Sequence, residues 1–367
     1  MFNDFYKNKT VLVTGNTGFK GSWLCLLLKK LGAKVVGYAL EPPTNPSMYS
    51  LCNIKNDINQ YVGDIRNLEY LKEVFEIEKP EIVIHMAAQP IVRDSYKRPV
   101  YTYEVNVMGT VNVLECVRKT ESVRSVINVT TDKVYLNRDT GIPFKEDEKL
   151  CGFDPYSNSK SCSELVTYSY KNSFFGGDAG ITESGRKISI STCRAGNVIG
   201  GGDFANDRII PDCVRAIEKK EKIIIRNPKS IRPYQHVLEP LYLYLKLSYL
   251  QYDNVDYAGS YNIGPSEYDC LCTGDLVSLF CKKWNSLSED NQIEWEEQTD
   301  DGPHEAGFLK LDSSKAINKL GWKPVWKVDN AMSMITEWTN EFMNGRDVLK
   351  ISEIQIDRFL SLTDNSL

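Results

Sequence analysis

Between Thr10 and Leu31 the chain passes from a short apolar run, through a turn with three glycines, into a stretch of apolar periodicity. Thr10–Thr14 (TVLVT) is β-branched and apolar and reads as a buried strand. Gly15-Asn16-Thr17-Gly18-Phe19-Lys20-Gly21 follows, and Trp23, Leu24, Leu27, Leu28 and Leu31 then recur at helical spacing. Strand, glycine turn and helix in that order are the context a dinucleotide fingerprint requires. Gly15 permits the sharp bend, Gly18 lets backbone approach a pyrophosphate, and Gly21 allows helix to pack closely on strand. Free N–H groups at the helix start then face the phosphates. Gly15, Asn16, Thr17, Gly18, Phe19 and Gly21 are therefore the first candidate cofactor residues. An ordinary tight turn between strand and helix is the competing reading, and it has no need of three glycines at this spacing.

The alternation continues. Lys34–Leu40 (KVVGYAL) is a second strand candidate. Folds that select NAD commonly close this strand with an acid for the adenosine ribose, and NADP is met by an arginine. Gly37-Tyr38-Ala39-Leu40 has neither, so the choice is not set locally and a loosely held adenosine end is expected. Val62-Gly63-Asp64-Ile65-Arg66 follows a third strand. Asp64, with Ile65 beside it, is placed to accept from an adenine amino group and equally to cap the helix Leu68–Phe75. Glu81–Met86 is a fourth strand, and the small residues of Ala87-Ala88-Gln89 let a cofactor lie close to its end. His85 reads as a packing histidine. Val100–Thr120 is a helix candidate with Asn106 near its middle, Val123–Val129 a fifth strand and Ile188–Cys193 a sixth. This rhythm predicts an α/β fold with a Rossmann-type, doubly wound parallel sheet. Ligands in such sheets bind at the carboxyl ends of strands, where Gly15, Asp64, Ala87, Thr131 and Asp132 fall.

Acid–base chemistry concentrates after the fifth strand. Thr131-Asp132-Lys133 lies at its end, and Tyr156 and Lys160, four apart, share one face of the next helix. A free phenol, with a pKa of about 10, is a poor base at neutral pH. A neighbouring ammonium stabilises the phenolate and makes Tyr156 a usable acid–base group. The Thr131 hydroxyl can serve the same substrate oxygen.

Length suggests two lobes: residues 1–193 with a returning segment at about 233–263, and a smaller C-terminal substrate-binding lobe of 194–232 and 264–367. A net charge of −5 gives no reason to expect nucleic acid or an anionic membrane as partner. The polar start Met1–Lys9 carries no apolar export signal, and Trp23–Leu28 is too short to cross a bilayer. The ten cysteines lack zinc-type spacing, so no metal is expected and reduced thiols in the cytoplasm are the expectation.

The glycine fingerprint, Asp64, Ala87-Ala88, Thr131 and the Tyr156/Lys160 pair together resemble the extended short-chain dehydrogenase/reductase superfamily. Thr131-Asp132-Lys133 resembles the signature of its sugar-nucleotide 4,6-dehydratases. Longer pieces are similar to the CDP-glucose 4,6-dehydratases: TGFKGSW (Thr17–Trp23), HMAAQPIV (His85–Val92), DPYSNSK (Asp154–Lys160), AGNVIGGGD (Ala195–Asp203), IRNPKSIRPYQHVLEP (Ile225–Pro240) and HEAGFLKLDSSKA (His304–Ala316).

The resemblance implies bound NAD and a CDP-glucose substrate. Tyr156 would remove the O4 proton as hydride leaves C4, helped by Lys160 and Thr131. Water would leave across C5 and C6 with Asp132 as acid, and hydride would return to C6, so net redox is zero. It also implies cofactor contacts from Ala87, Ala88, Gln89 and Asn106, and nucleotide contacts from Asn197, Arg208, Arg232 and His304, the last in a loop before a strand Lys310–Asp312. A homodimer through the helices near 100–120 and 155–174 is implied too, as is deoxysugar supply for a surface polysaccharide. Related dTDP-glucose enzymes carry glutamate where this chain has Lys133; base for the C5 proton and fixed cation for the O4 enolate both stand as its role. Another sugar nucleotide (dTDP- or GDP-linked), a 4-epimerase on the same tyrosine and lysine, and a non-catalytic NAD sensor remain as alternatives.

Overall fold

The computed structural model describes residues 2–266, 269–287, 292–298 and 309–363. Seven strands make one fully parallel sheet: β1 (Thr10–Thr14), β2 (Lys34–Ala39), β3 (Asn59–Val62), β4 (Ile82–His85), β5 (Ser125–Val129), β6 (Ser189–Ala195) and β7 (Ser260–Ile263). Their order is β7-β6-β5-β4-β1-β2-β3. Every residue of β4, β5 and β6 is buried, as a parallel sheet covered on both faces demands.

The covering helices are α1 (Phe19–Lys30), α2 (Leu68–Glu78), α3 (Gly109–Lys119), α4 (Pro155–Phe174), α5 (Ile209–Lys219), α6 (Leu238–Asp253), α7 (Thr273–Leu287), α8 (Val328–Met343) and α9 (Val348–Thr363). One face of the sheet buries Trp23 and Leu27 of α1 with Leu241 and Leu245 of α6, and Ile356 and Phe359 of α9 join the same core. The other face buries Leu71 and Phe75 of α2 with Val113 and Val117 of α3. A separate core joins Ile210 and Ile217 of α5, Val277 and Phe280 of α7, and Met332 and Ile335 of α8.

Strand order reverses direction between β1 and β4, and the crevice above their carboxyl ends is where this architecture places ligands. Gly15 has φ +74°, and a Cβ there would lie 2.8 Å from the backbone of Ala87. The turns after β1 and β4 touch, and glycine is what allows it.

Three local features differ from the sequence reading. The helix expected over 100–120 is interrupted: Pro99–Tyr103 is α-helical, Glu104–Met108 forms a π turn, and α3 resumes at Gly109. The cap of α2 is Asn67, whose side chain accepts from the Tyr70 N–H; Asp64 does not take that place because its carboxylate is held by Arg66. At Lys310–Asp312 there is no strand, only an isolated bridge from Leu311 to Phe144.

Candidate active site

A single cleft of about 1010 Å3 runs along the carboxyl ends of the strands. That volume lies at the upper end of ligand pockets generally and suits two ligands laid end to end. Its walls include Gly15, Thr17, Gly18, Phe19, Gly21, Asp64, Ile65, Ala87, Ala88 and Gln89 on one side, and Thr131, Asp132, Lys133, Tyr156 and Lys160 at the centre. Asn197, Arg208 and Arg232 line the far end. His304 lies outside the described residues.

Two sequence candidates do not line it. Asn106, buried within the π turn, uses its carboxamide internally: Oδ1 accepts from the Gln89 N–H at 2.8 Å, and Nδ2 donates to Gln89 O and to Ser159 Oγ. It clamps the β4 loop to α4, and its carboxamide does not line the cleft. A π turn is a common device for aiming one side chain off the regular helical ladder. Asn16 is also fully buried, with Nδ2 on Gln60 Oε1 at 2.6 Å. Its amide ties the glycine turn to β3 instead of facing the cleft.

The glycine turn can hold a dinucleotide. A Cβ on Gly21 would fall 2.3 Å from Gly15 O, so no side chain fits between turn and helix. At Gly18, the residue preceding α1, a Cβ would meet only Gly15 O at 3.5 Å, which leaves the helix start open to the cleft. Asp64 lines the cleft with its carboxyl held below the ordinary carboxylate range, first by its hydrogen bond to the Arg66 side chain. Arg66 in turn reaches Glu104 at 2.7 Å.

At the centre, the Thr131 hydroxyl donates to Asp132 Oδ1 at 2.9 Å, and Tyr156 lines the same part of the cleft. Asp132 is 1% exposed, and its Oδ2 has no hydrogen-bond partner among the described residues. Burial pushes its carboxyl up, against the opposing pull of Lys133, Thr131 and Arg232. Lys160 donates from Nζ to Val129 O at 3.0 Å. Burial brings its ammonium down to about 8, with Glu164 acting the other way. Tyr156 is raised to about 12, chiefly by burial, with Asp132 adding to the rise and Thr131 and Arg208 opposing it. Desolvation is thus the largest influence on the phenol, and Lys160 keeps two further N–H donors beyond the one given to Val129 O.

A family profile described as GDP-mannose 4,6 dehydratase matches residues 12–335. The CDP-glucose 4,6-dehydratase of Salmonella typhimurium is 43% identical over 361 residues, 98% of each chain. The chain belongs to the GDP-mannose 4,6-dehydratase family. A more distant relative, the dTDP-D-glucose 4,6-dehydratase of Mus musculus, is 27% identical across 94% of this chain and 93% of its own. Among solved structures, UDP-glucose 4-epimerase of Thermotoga maritima with UDP-glucose superposes with a TM-score of 0.75 at 21% identity, over 91% of this chain and 99% of that one. The dTDP-glucose 4,6-dehydratase of Bacillus anthracis in complex with NAD gives 0.71 at 20%, over 93% and 99%. These two likenesses establish the fold.

Within this family fold, several residues around the site carry no signal in the linear sequence. Arg194 on β6 and Glu164 on α4 form a buried bidentate pair, with Nη2–Oε2 at 2.8 Å and Nε–Oε1 at 3.0 Å. Thr130 and Thr192 donate to the same carboxylate. The pair fixes α4 against β5 and β6, and hence Tyr156 against Thr131. Thirty positions separate the partners, so spacing alone does not reveal them. Lys20, Glu41 and Arg226 also line the cleft. His85 is fully satisfied as a core residue: Nδ1 meets Thr14 Oγ1 at 2.7 Å, and burial pushes its ring down to about 3, so it stays neutral. His236 packs edge-on to Trp23 and Trp326. Among the described residues no cluster of His, Cys, Asp and Glu could hold a metal ion, and no helix is long and apolar enough to cross a membrane.

Proposed function

We propose that the chain is an NAD-dependent 4,6-dehydratase that converts CDP-glucose to CDP-4-dehydro-6-deoxyglucose. The observation that carries this reading is the Asp132 carboxyl: buried, pushed up, one oxygen on Thr131 and the other partnerless, beside the tyrosine that serves O4. A 4-epimerase has no step that needs such an acid; elimination of a hydroxyl does.

The glycine turn, Asp64 and Ala87–Gln89 would hold NAD, which supplies a hydride acceptor at C4 of the sugar and a donor at C6. Tyr156 takes the O4 proton, with the Thr131 hydroxyl lining the cleft beside it. Its raised pKa makes it a strong base once ionised, and Lys160, one helical turn on, is the cation that stabilises the ionised form. The ketone at C4 acidifies the C5 hydrogen. Lys133, adjacent to Asp132, is the residue for that proton or for the enolate charge. Asp132 delivers its proton to the C6 hydroxyl as water leaves. Asn197, Arg208 and Arg232 would grip the diphosphate and nucleoside; arginine's planar donor fork suits phosphate oxygens. Arg208 now leans on Asp203 at 3.3 Å, which holds it ready at the cleft wall. The cleft walls would keep the reacting atoms apposed.

The cytidine preference rests on the 43% identity to the Salmonella enzyme over nearly all of both chains. A homodimer in the cytoplasm completes the proposal. Val100, Tyr103, Met108, Leu165, Tyr168 and Phe174 are exposed on the two helical stretches that would pair, an apolar face that a second copy covers. A panel of CDP-, dTDP-, UDP- and GDP-glucose with added NAD+, assayed for alkali-induced 4-ketosugar absorbance, tests the activity and the base together. CDP-galactose with no 4-ketosugar would establish an epimerase instead.

A further inference from the structure

Lys20 stands in the first turn of α1, inside the glycine turn, and its side chain points into the cleft. Its Nζ lies 3.2 Å from Tyr244 Oη of α6 and 5.5 Å from that ring's centroid. Among the described residues no carboxylate forms an ion pair with it. The charged and titratable groups that face it are Arg208 at the start of α5, Lys160 on α4, Cys193 on β6, Asp132 after β5 and Tyr244 itself. Burial brings its amine down to about 7; Arg208 and Lys160 push the same way, and Cys193 and Asp132 oppose them.

An amine in a glycine turn meant for a dinucleotide is an unexpected choice, since an apolar side chain there would cost no desolvation. Tyr156 and Lys160 set where the sugar's C4 and O4 lie, and hydride passes only between atoms in contact, so the nicotinamide end belongs beside them. Lys20 reaches the same cleft from the glycine turn, and Lys160 and Asp132 are among the charges that act on it. Asp132, Lys133 and the arginines come from the sugar's side. We infer that Lys20 sets the cofactor's redox preference: its ammonium disfavours the cationic oxidised nicotinamide relative to the neutral reduced ring, and so favours hydride acceptance. The diphosphate is common to both oxidation states, so its attraction to Lys20 cancels in the ratio of their affinities, whereas the ring charge does not. In a desolvated cleft that charge difference is only weakly screened. The inference rests on the NAD-dependent reading above.

The test is binding of NAD+ and NADH, by calorimetry, to the full-length wild type, K20M and K20R at about pH 6 and about pH 9, either side of the lowered amine. In the wild type the ratio Kd(NAD+)/Kd(NADH) is expected to be about tenfold higher at the acid end, where Lys20 is protonated. K20M should bring the acid ratio down by about that factor, and any pH dependence it retains belongs to Lys160 and Asp132. K20R, charged throughout, should keep a high ratio at both pH values. A K20M ratio equal to the wild type's, or a K20R ratio that follows the wild type's pH dependence, would overturn the assignment. Failure of the wild type to bind either nucleotide would overturn the cofactor reading and this inference with it.

Discussion

At the scale of single residues, the site is a contest between desolvation and neighbouring charge, and desolvation wins at Asp132, Lys160 and Tyr156. Asp132 goes up, Lys160 goes down and Tyr156 goes up. Asp132 is thereby biased toward the protonated form that an acid needs, whereas Tyr156 must be ionised to act as base, which is the form a cation such as Lys160 supports. Asp132→Asn keeps the shape of the side chain but removes its proton, and should lower dehydration about 100- to 10,000-fold. Tyr156 still serves O4 in that variant, so single-turnover absorbance should show the cofactor reduced by CDP-glucose while 4-keto-6-deoxy product fails to form. Normal product formation would remove Asp132 from the mechanism. Several of these residues are legible in the sequence because the chemistry needs particular types at the end of one strand and the start of one helix. Lys20 is not, because a lysine in a helix's first turn ordinarily extends into solvent; only the turn's fold against α6 sends it into the cleft.

At the scale of elements, helix α4 is held by its buried carboxylate, Glu164. Glu164→Gln leaves the Arg194 guanidinium, 4% exposed, without its charge partner, and loss of one member of such a pair costs about 3–5 kcal/mol. Denaturant unfolding should show that loss at an unchanged m-value; a change under about 1 kcal/mol would mean the pair contributes little. The end of β2 carries another prediction. Ala39-Leu40 offers no acid to the adenosine ribose, and Glu41 just beyond it is exposed at the cleft edge. The purified protein should therefore need added NAD+ for full turnover, and stoichiometric NAD+ surviving purification would refute this. The strands could be read from the sequence because each is a short apolar run between turn residues. The π turn could not, since Asn106 leaves the helical ladder to meet Gln89 and Ser159, contacts that exist only after β4 and α4 have packed. Asp64 was open to two readings for a similar reason: Arg66 claims its carboxylate only in the folded turn.

At the scale of the whole molecule, a buried acid ties α6 to the Val325–Trp326 segment, and spacing does not reveal it. Glu239 on α6 accepts from the Val325 and Trp326 N–H groups, and its Oε2 has no partner among the described residues. Burial first, and Asp269 in addition, raise it to about 8. Because the folded value lies above the unfolded one, its stabilising contribution is complete below about 4.5 and is lost as pH rises through about 8. Wild-type stability should fall by up to about 1.4 kcal/mol per pH unit across that window. Glu239→Gln keeps the acceptor, removes the proton, and should flatten the curve; equal slopes in both proteins would contradict it. The parallel sheet and the cleft along the carboxyl ends of its strands follow from the strand–helix rhythm. The joining of α9 to the first core does not, because a late amphipathic helix carries no mark of the surface it will cover.

The central claim is elimination across C5 and C6 of CDP-glucose with hydride taken and returned. Its most direct measurement is the turnover of CDP-glucose with NAD+ in deuterium oxide, followed by proton NMR of the product. The account predicts CDP-4-dehydro-6-deoxyglucose carrying solvent deuterium at C5. A product with its C6 hydroxyl intact, or one with no deuterium at C5, would contradict it.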